Sequence, residues 1–302
     1  MKALGLCLGL WGVALLPVSA QVTVEITQDQ DQFLPGEALP TAVRITNRSG
    51  QSLHLGREQD WLTFSVQAHG NEVVPEIAAV PVVGEFVLES SRIATKHVDL
   101  APSFSLTRSG RYSVSATVRI KDWNQEITSP PRNFDIIEGA KLWEQEIGVP
   151  NSAAPTNATP EIRKFILQQA SYLKAQLRLY VRVTDSSGAK TWRVFPIGPM
   201  VSFSRPEPQV DKFSNLHLLY QDGPHSFRYT VINPDGEIIA RRFYDYTDKR
   251  PRLQPDVDGT IFVNGGVRRV NSSDVPPSQS ATPAEETPKP LPSPGELMPP
   301  NP

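Results

Sequence analysis

Side chains able to do acid–base or metal chemistry are sparse in this chain of 302 residues. Five histidines, His54, His69, His97, His217 and His225, are scattered along it, and no two stand at the helical or hairpin spacing that lets imidazoles share a metal. His217 lies between Leu216 and Leu218 in an alternating stretch and His225 in a turn, so both read as packed or surface residues. Asp256-Val257-Asp258-Gly259 opens like a calcium loop, but Thr260 to Val270 supplies no carboxylate to complete it, and an Asp-Gly turn accounts for it better. Glu144 with Glu146, or Asp245 with Asp248, would be the carboxylate pair of a glycosidase, but their separation in space is not given by sequence. Neither a Gly-x-Ser-x-Gly elbow, a His-Glu-x-x-His pair nor a glycine-rich phosphate loop occurs. The expectation is a chain with no catalytic residue, no metal and no cofactor.

Aromatic and basic residues carry the remaining signal, which is one of binding. Trp61, Trp123, Trp143, Trp192, Tyr244 and Tyr246 are of the type that stacks on sugars or packs a partner. Trp61 and Trp192 fall in or beside alternating strands and read as core. Trp123 sits in the polar stretch Lys121-Asp122-Trp123-Asn124-Gln125 and reads as a loop contact. Tyr244 and Tyr246 point the same way along a strand. Charge is divided unevenly: residues 21–160 hold 11 Lys+Arg against 17 Asp+Glu, and residues 161–270 hold 17 against 11. Arg241, Arg242, Arg250 and Arg252 concentrate the positive charge late in the chain, with Arg268 and Arg269 after them. The reading preferred is that oppositely charged halves attract and dock, within the ~10 Å reach that salt allows exposed charges. The sharper reading is that the arginines meet an unknown protein or an anionic envelope polymer. Nucleic acid is not expected, because no stacking motif accompanies the charge.

The elements that must position these residues are strands. Residues 1–20 run from Lys2 through an apolar stretch to Pro17 and Val18-Ser19-Ala20, the form of a secretory signal peptide. The one cysteine, Cys7, lies within it, so the exported chain would have no thiol and rely on packing alone. No later apolar stretch is long enough for a transmembrane helix, and a periplasmic or extracellular location is expected. Residues 150–160, small and proline-punctuated, read as a linker between a domain at 21–149 and one at 161–270. Residues 271–302 carry ten of the 29 prolines among Ser, Thr, Glu and Ala and read as a disordered, solvated terminus; a spacer or a ligand for a proline-binding module is the functional alternative.

Both domains read as β. Val22-Thr23-Val24-Glu25-Ile26, Ala42 to Thr46, Leu62 to Val66 and Tyr112 to Ile120 alternate with period two, and turn residues separate them. In the second half Leu177 to Val183, Thr191 to Phe195, Leu216 to Tyr220 and Ser226 to Ile232 do the same, with Asn233-Pro234-Asp235-Gly236 as a hairpin turn. That run is similar to one propeller blade plus a fraction. A single blade closes no ring, so an antiparallel meander folded as a small sandwich or barrel is expected. Residues 160–170 stay open between helix and strand, with strand preferred because the surroundings are β.

Leu106-Thr107-Arg108-Ser109-Gly110-Arg111-Tyr112 has the Leu-x-x-x-Gly-x-Tyr form of a tyrosine corner. Phe33-Leu34-Pro35-Gly36-Glu37 followed by Arg44-Ile45-Thr46-Asn47 resembles the opening strands of bacterial immunoglobulin-like domains. Over about 22–138 the layout is similar to proteinase-inhibitor domains of the BsuPI type. The resemblance implies an immunoglobulin-like sandwich and, as an alternative function, protease inhibition. The overall expectation is an all-β, exported, non-catalytic binding or structural protein of the cell envelope. An enzyme with a site assembled from scattered residues is the third reading.

Overall fold

A computed structural model describes residues 22–70, 72–149 and 161–275; the expected leader, the 150–160 segment and most of the proline-rich stretch lie outside the described residues. Among them strands dominate, and no α-helix occurs. The first ten are β1 (Val22–Thr27), β2 (Gln32–Phe33), β3 (Pro40–Asn47), β4 (Leu53–Leu55), β5 (Leu62–Ala68), β6 (Phe86–Leu88), β7 (Arg92–Asp99), β8 (Gly110–Ile120), β9 (Gln125–Thr128) and β10 (Arg132–Ile136). They form a β1-β3-β7 sheet and a β2-β10-β8-β5 sheet to which β9 adds by pairing with β8; β4 and β6 make a short ribbon. Strand β2 runs parallel to β10, and all other pairs in the two sheets are antiparallel. These sheets give the all-β fold expected from the sequence.

Period-two burial makes this sandwich. Val22, Val24 and Ile26 point inward from β1, and Tyr112, Val114, Ala116, Val118 and Ile120 from β8, into one core shared by both sheets. The Tyr112 hydroxyl donates to the Arg108 carbonyl at 2.8 Å, closing the tyrosine corner. Trp61 is core as expected, 3% exposed.

The second half holds β11 (Ala140–Val149), β12 (Glu161–Tyr172), β13 (Gln176–Asp185), β14 (Thr191–Pro199), β15 (Glu207–Val210), β16 (Leu216–Gln221), β17 (Ser226–Ile232), β18 (Ile238–Asp245), β19 (Arg252–Pro255), β20 (Ile261–Asn264) and β21 (Val267–Arg269). Two antiparallel meanders, β11-β12-β13-β14 and β15-β16-β17-β18-β21, enclose one core. Phe165, Leu167, Leu179, Val181 and Val183 come from one sheet and Leu216, Leu218, Tyr220 and Ile232 from the other. The β19–β20 hairpin covers the outer face of the second sheet through Leu253 and Ile261. Residues 161–172 are strand, which resolves the helix–strand ambiguity.

The domain boundary needs correction. Strand β11 pairs antiparallel with β12 from Val149↔Glu161 to Ala140↔Gln169. Residues 150–160 therefore connect neighbouring strands of one sheet, and the division between the sandwiches falls between Ile136 and Ala140. The halves are joined by an apolar knob. Leu34, 1% exposed, is buried among Ala170, Tyr180 and Val194 of the second sandwich. Arg182 donates to the Pro35 carbonyl at 2.6 Å, and the Leu173 amide donates to Gln32 Oε1. Burial holds the Arg182 guanidinium below its ordinary value and pushes the nearby Glu37 carboxyl up, although the Leu34 amide and Gln30 side chain donate to it. The late arginines are not what docks the halves: Arg252 pairs with Glu207, Arg268 with Asp274 and Arg269 with Asp245, all within the second sandwich.

Candidate partner-binding surface

The seven residues singled out by sequence do not converge. Trp123 ends a 3-10 turn, Lys121–Trp123, and packs half-buried against the core of the first sandwich. Its aromatic face supports that core rather than standing free in a loop. Arg241 and Arg242 are neighbours on β18, so strand alternation sends them to opposite faces. Tyr244 packs against the cluster under the β19–β20 hairpin, whereas Tyr246 is 40% exposed with its ring 6.3 Å from His225. Arg250 lies over Phe227 at 5.1 Å and donates to Ser204 Oγ at 2.9 Å. Arg252 is engaged by Glu207. Tyr246, Arg250 and Arg252 thus follow one another along the β18–β19 connection, and Trp123 belongs to the other sandwich.

The same end of the second sandwich carries residues that the sequence reading passed over. Phe203, in the β14–β15 loop, is 76% exposed, and Arg205 follows it at the surface. Beyond them lies a groove of 340 Å³ lined by Lys141, Leu142, Trp143, Leu167, Arg205, Pro206 and Pro208. Its position follows from topology. Strand β11 is an edge of the first meander and β15 an edge of the second, and the groove is the gap between these edges.

Two local features shape it. Strand register slips between Lys141 and Trp143, so Leu142 has no cross-strand partner on β12. This bulge re-aims consecutive side chains, and Lys141, Leu142 and Trp143 all reach the groove, which a regular strand would forbid. On the other wall Pro208 sits in β15 opposite Leu218. Proline cannot extend a ladder, so it is tolerated at this edge and blunts it against sheet-to-sheet pairing. The floor is apolar and the rim basic. Lys141 is held by Glu144 at 3.0 Å, while Arg205 forms no ion pair among the described residues. The Phe-Ser-Arg-Pro-Glu-Pro run at 203–208 was the available signal.

Titratable groups elsewhere are structural. His217 Nε2 meets Asp211 Oδ2 at 3.0 Å and Nδ1 meets the Tyr229 hydroxyl at 2.7 Å, with His217 7% exposed. An ionised Asp211 only accepts, so Nε2 carries the proton and, in the neutral ring, Nδ1 accepts from Tyr229. Burial pushes Asp211 up, but donors from His217, Asn215 and Phe213 outweigh it and hold the carboxyl below its ordinary value. Burial pushes the Tyr229 phenol up to about 12. The chain of bonds pins the 211–215 turn onto the sheet.

Arg228 lies between the two sheets, pairing with Asp222 at 3.0 Å and stacking on Phe243 at 4.9 Å. Ser171-x-x-Lys174 and Ser187-x-x-Lys190 match a Ser-x-x-Lys spacing, against the expectation that the sequence holds none. Both fall in hairpin turns, where i and i+3 do not share a helical face. Among the described residues no group of three or more His, Cys, Asp or Glu could hold a metal ion, and no helix is long and apolar enough to cross a membrane.

No family model matches the chain, and no curated protein matches it. Among solved structures it is similar to the crystal structure of Spo0M, a sporulation control protein from Bacillus subtilis. The identity is 9%, over 73% of this chain and 80% of that one, with a TM-score of 0.30. A likeness at that level carries no argument about function. The proteinase-inhibitor resemblance thus rests on residues 22–138 of this chain alone.

Proposed function

We propose that this chain is an exported, non-catalytic binding protein, and that its contact surface is the groove between β11 and β15. The ligand class is an extended, acidic, proline-bearing segment of a partner protein. One observation carries this reading: an apolar floor of Leu142, Trp143, Pro206 and Pro208 is rimmed by Lys141 and Arg205 at two open sheet edges. Grooves walled by aromatic and proline rings suit polyproline-type segments, which lose little entropy on binding because they are already extended. The basic rim selects acidic flanks and raises the association rate. The leader-like first 20 residues support export.

The test is a titration of the chain ended after Val275 with three probes: synthetic acidic proline-rich peptides, polyglutamate without proline, and dextran sulfate. Saturable binding of the proline-rich peptides alone supports the reading. Equal binding of all three replaces it with a surface for anionic polymers. A second reading, protease inhibition, is supported by the immunoglobulin-like strand order and the Tyr112 corner. It predicts that the full chain slows at least one protease in a panel.

A further inference from the structure

We infer that the occupant of this groove in the intact chain is the chain's own terminus, residues 276–302, folded back in cis so that it competes with outside ligands. The inference rests on the groove reading above and adds a regulator to it. Position, composition and charge each support it.

Position comes first. Val275, the last described residue, exchanges backbone hydrogen bonds with Arg241 on β18. Arg241 stands opposite Thr230, Thr230 opposite Leu218, and Leu218 opposite Pro208 in the groove wall. The terminus therefore departs in the same cross-strand row as Pro208. Four strand spacings of ~4.8 Å put the two about 19 Å apart.

Composition supplies the ligand. Pro288, Pro290, Pro292 and Pro294 alternate in Pro-Lys-Pro-Leu-Pro-Ser-Pro, with Leu291 at the centre. A proline-dense chain extends ~3.1 Å per residue, so the stretch from Val275 to Pro288 spans up to about 40 Å. That is twice the direct separation and allows a path around the loops at the sheet end. The charges match as well. Glu285 and Glu286 stand one residue before the prolines, among which Lys289 is the one cation, and the groove rim offers Arg205 together with Lys141, which it shares with Glu144. A tether of this length confers an effective concentration in the millimolar range, which blocks ligands of moderate affinity without any further contact.

The experiment compares three chains in titrations with one synthetic peptide covering residues 283–296, followed by the Trp143 indole N–H resonance. These are the full chain, the chain ended after Val275, and the full chain with Pro288, Pro290, Pro292 and Pro294 all replaced by Ser. We expect the peptide to bind the shortened and the Ser-substituted chains at least ten-fold more tightly than the full chain. We also expect the Trp143 resonance of the free full chain to match that of the peptide-saturated shortened chain. Equal affinity for all three, with Trp143 shifting in each, overturns the folded-back terminus and leaves the groove reading standing. Absence of binding to the shortened chain overturns both.

Discussion

The two sandwiches of this chain use the same architecture and fill it differently. The first keeps its ion pairs toward the surface: Arg119 reaches Asp60 and Glu126 with all three side chains about half exposed, and Lys121 reaches Glu58, while its buried carboxyl, Glu37, is held by the Leu34 amide and the Gln30 side chain. Its buried Asn47 is satisfied by the Gln51 and Leu88 carbonyls. Both halves bury polar side chains, but the second also places an ion pair and unpartnered hydroxyls between its sheets. Arg228 and Asp222 form an ion pair between the sheets, and Thr230 and Tyr220 are 0% and 1% exposed, with hydroxyls that find no partner in the structure. Burial pushes the Tyr220 phenol up, so it stays a neutral donor. A packed apolar core maximises stability. A core carrying polar groups gives some of that up, and such departures concentrate where a fold does something besides fold. The second sandwich also carries the groove, and we propose it as the working half.

The sharpest break of this comparison is between two ion pairs. Asp222→Ala leaves Arg228, whose side chain is 18% exposed, with the Ile197 carbonyl as its remaining partner and is expected to cost about 3–5 kcal/mol in chemical denaturation. Arg119→Met, at the surface of the first sandwich, is expected to leave the denaturation midpoint unchanged. Equal effects would erase the distinction between the halves.

The next largest effect concerns how the halves communicate. Leu34→Ala removes the knob buried by Ala170, Tyr180 and Val194 and is expected to cost about 2–5 kcal/mol. Calorimetry of this variant should resolve two transitions where the parent shows one. A single transition in the variant would mean that Arg182 and Gln32 couple the halves without Leu34.

Within the second sandwich, Asp211→Asn is expected to cost about 1–3 kcal/mol through weakened bonds to His217, Asn215 and Phe213. The sign with pH follows from the depressed carboxyl. Stability from ionised Asp211 is fully present above the unfolded value of ~3.9 and is lost as pH falls through the lower folded value. The parent and variant stability curves should therefore converge in acid. The smallest effect is in the first sandwich: Tyr112→Phe deletes the bond to the Arg108 carbonyl and is expected to cost about 0.5–1.5 kcal/mol with no change in ligand binding.

Strands with one clean face were legible from sequence, because Val22-Thr23-Val24-Glu25-Ile26 and Tyr112 to Ile120 alternate as they are buried. The tyrosine corner was legible for the same local reason. Strand β11 was not assigned to its sheet, because Ala140–Val149 has one fully buried residue, Ile147, and its partner lies beyond the proline-rich segment. A composition break marked the connection and not the boundary. Arg241 and Arg242 looked like one patch because adjacency in sequence is opposition on a strand. The groove was illegible as a whole: it joins Trp143 to Pro206 and Pro208 through a bulge and two sheet edges, and no local pattern encodes that meeting. Leu34 looked like part of an opening strand, although its partners, from Ala170 to Val194, lie far along the chain.

Which half meets the ligand is tested most directly by two tryptophans. The chain ended after Val275 is titrated with the 283–296 peptide as Trp143→Ala and as Trp123→Ala. Binding through the β11–β15 gap predicts at least a ten-fold loss of affinity for Trp143→Ala and unchanged affinity for Trp123→Ala. Full affinity in Trp143→Ala, with the loss appearing in Trp123→Ala, would contradict it and move the contact to the first sandwich.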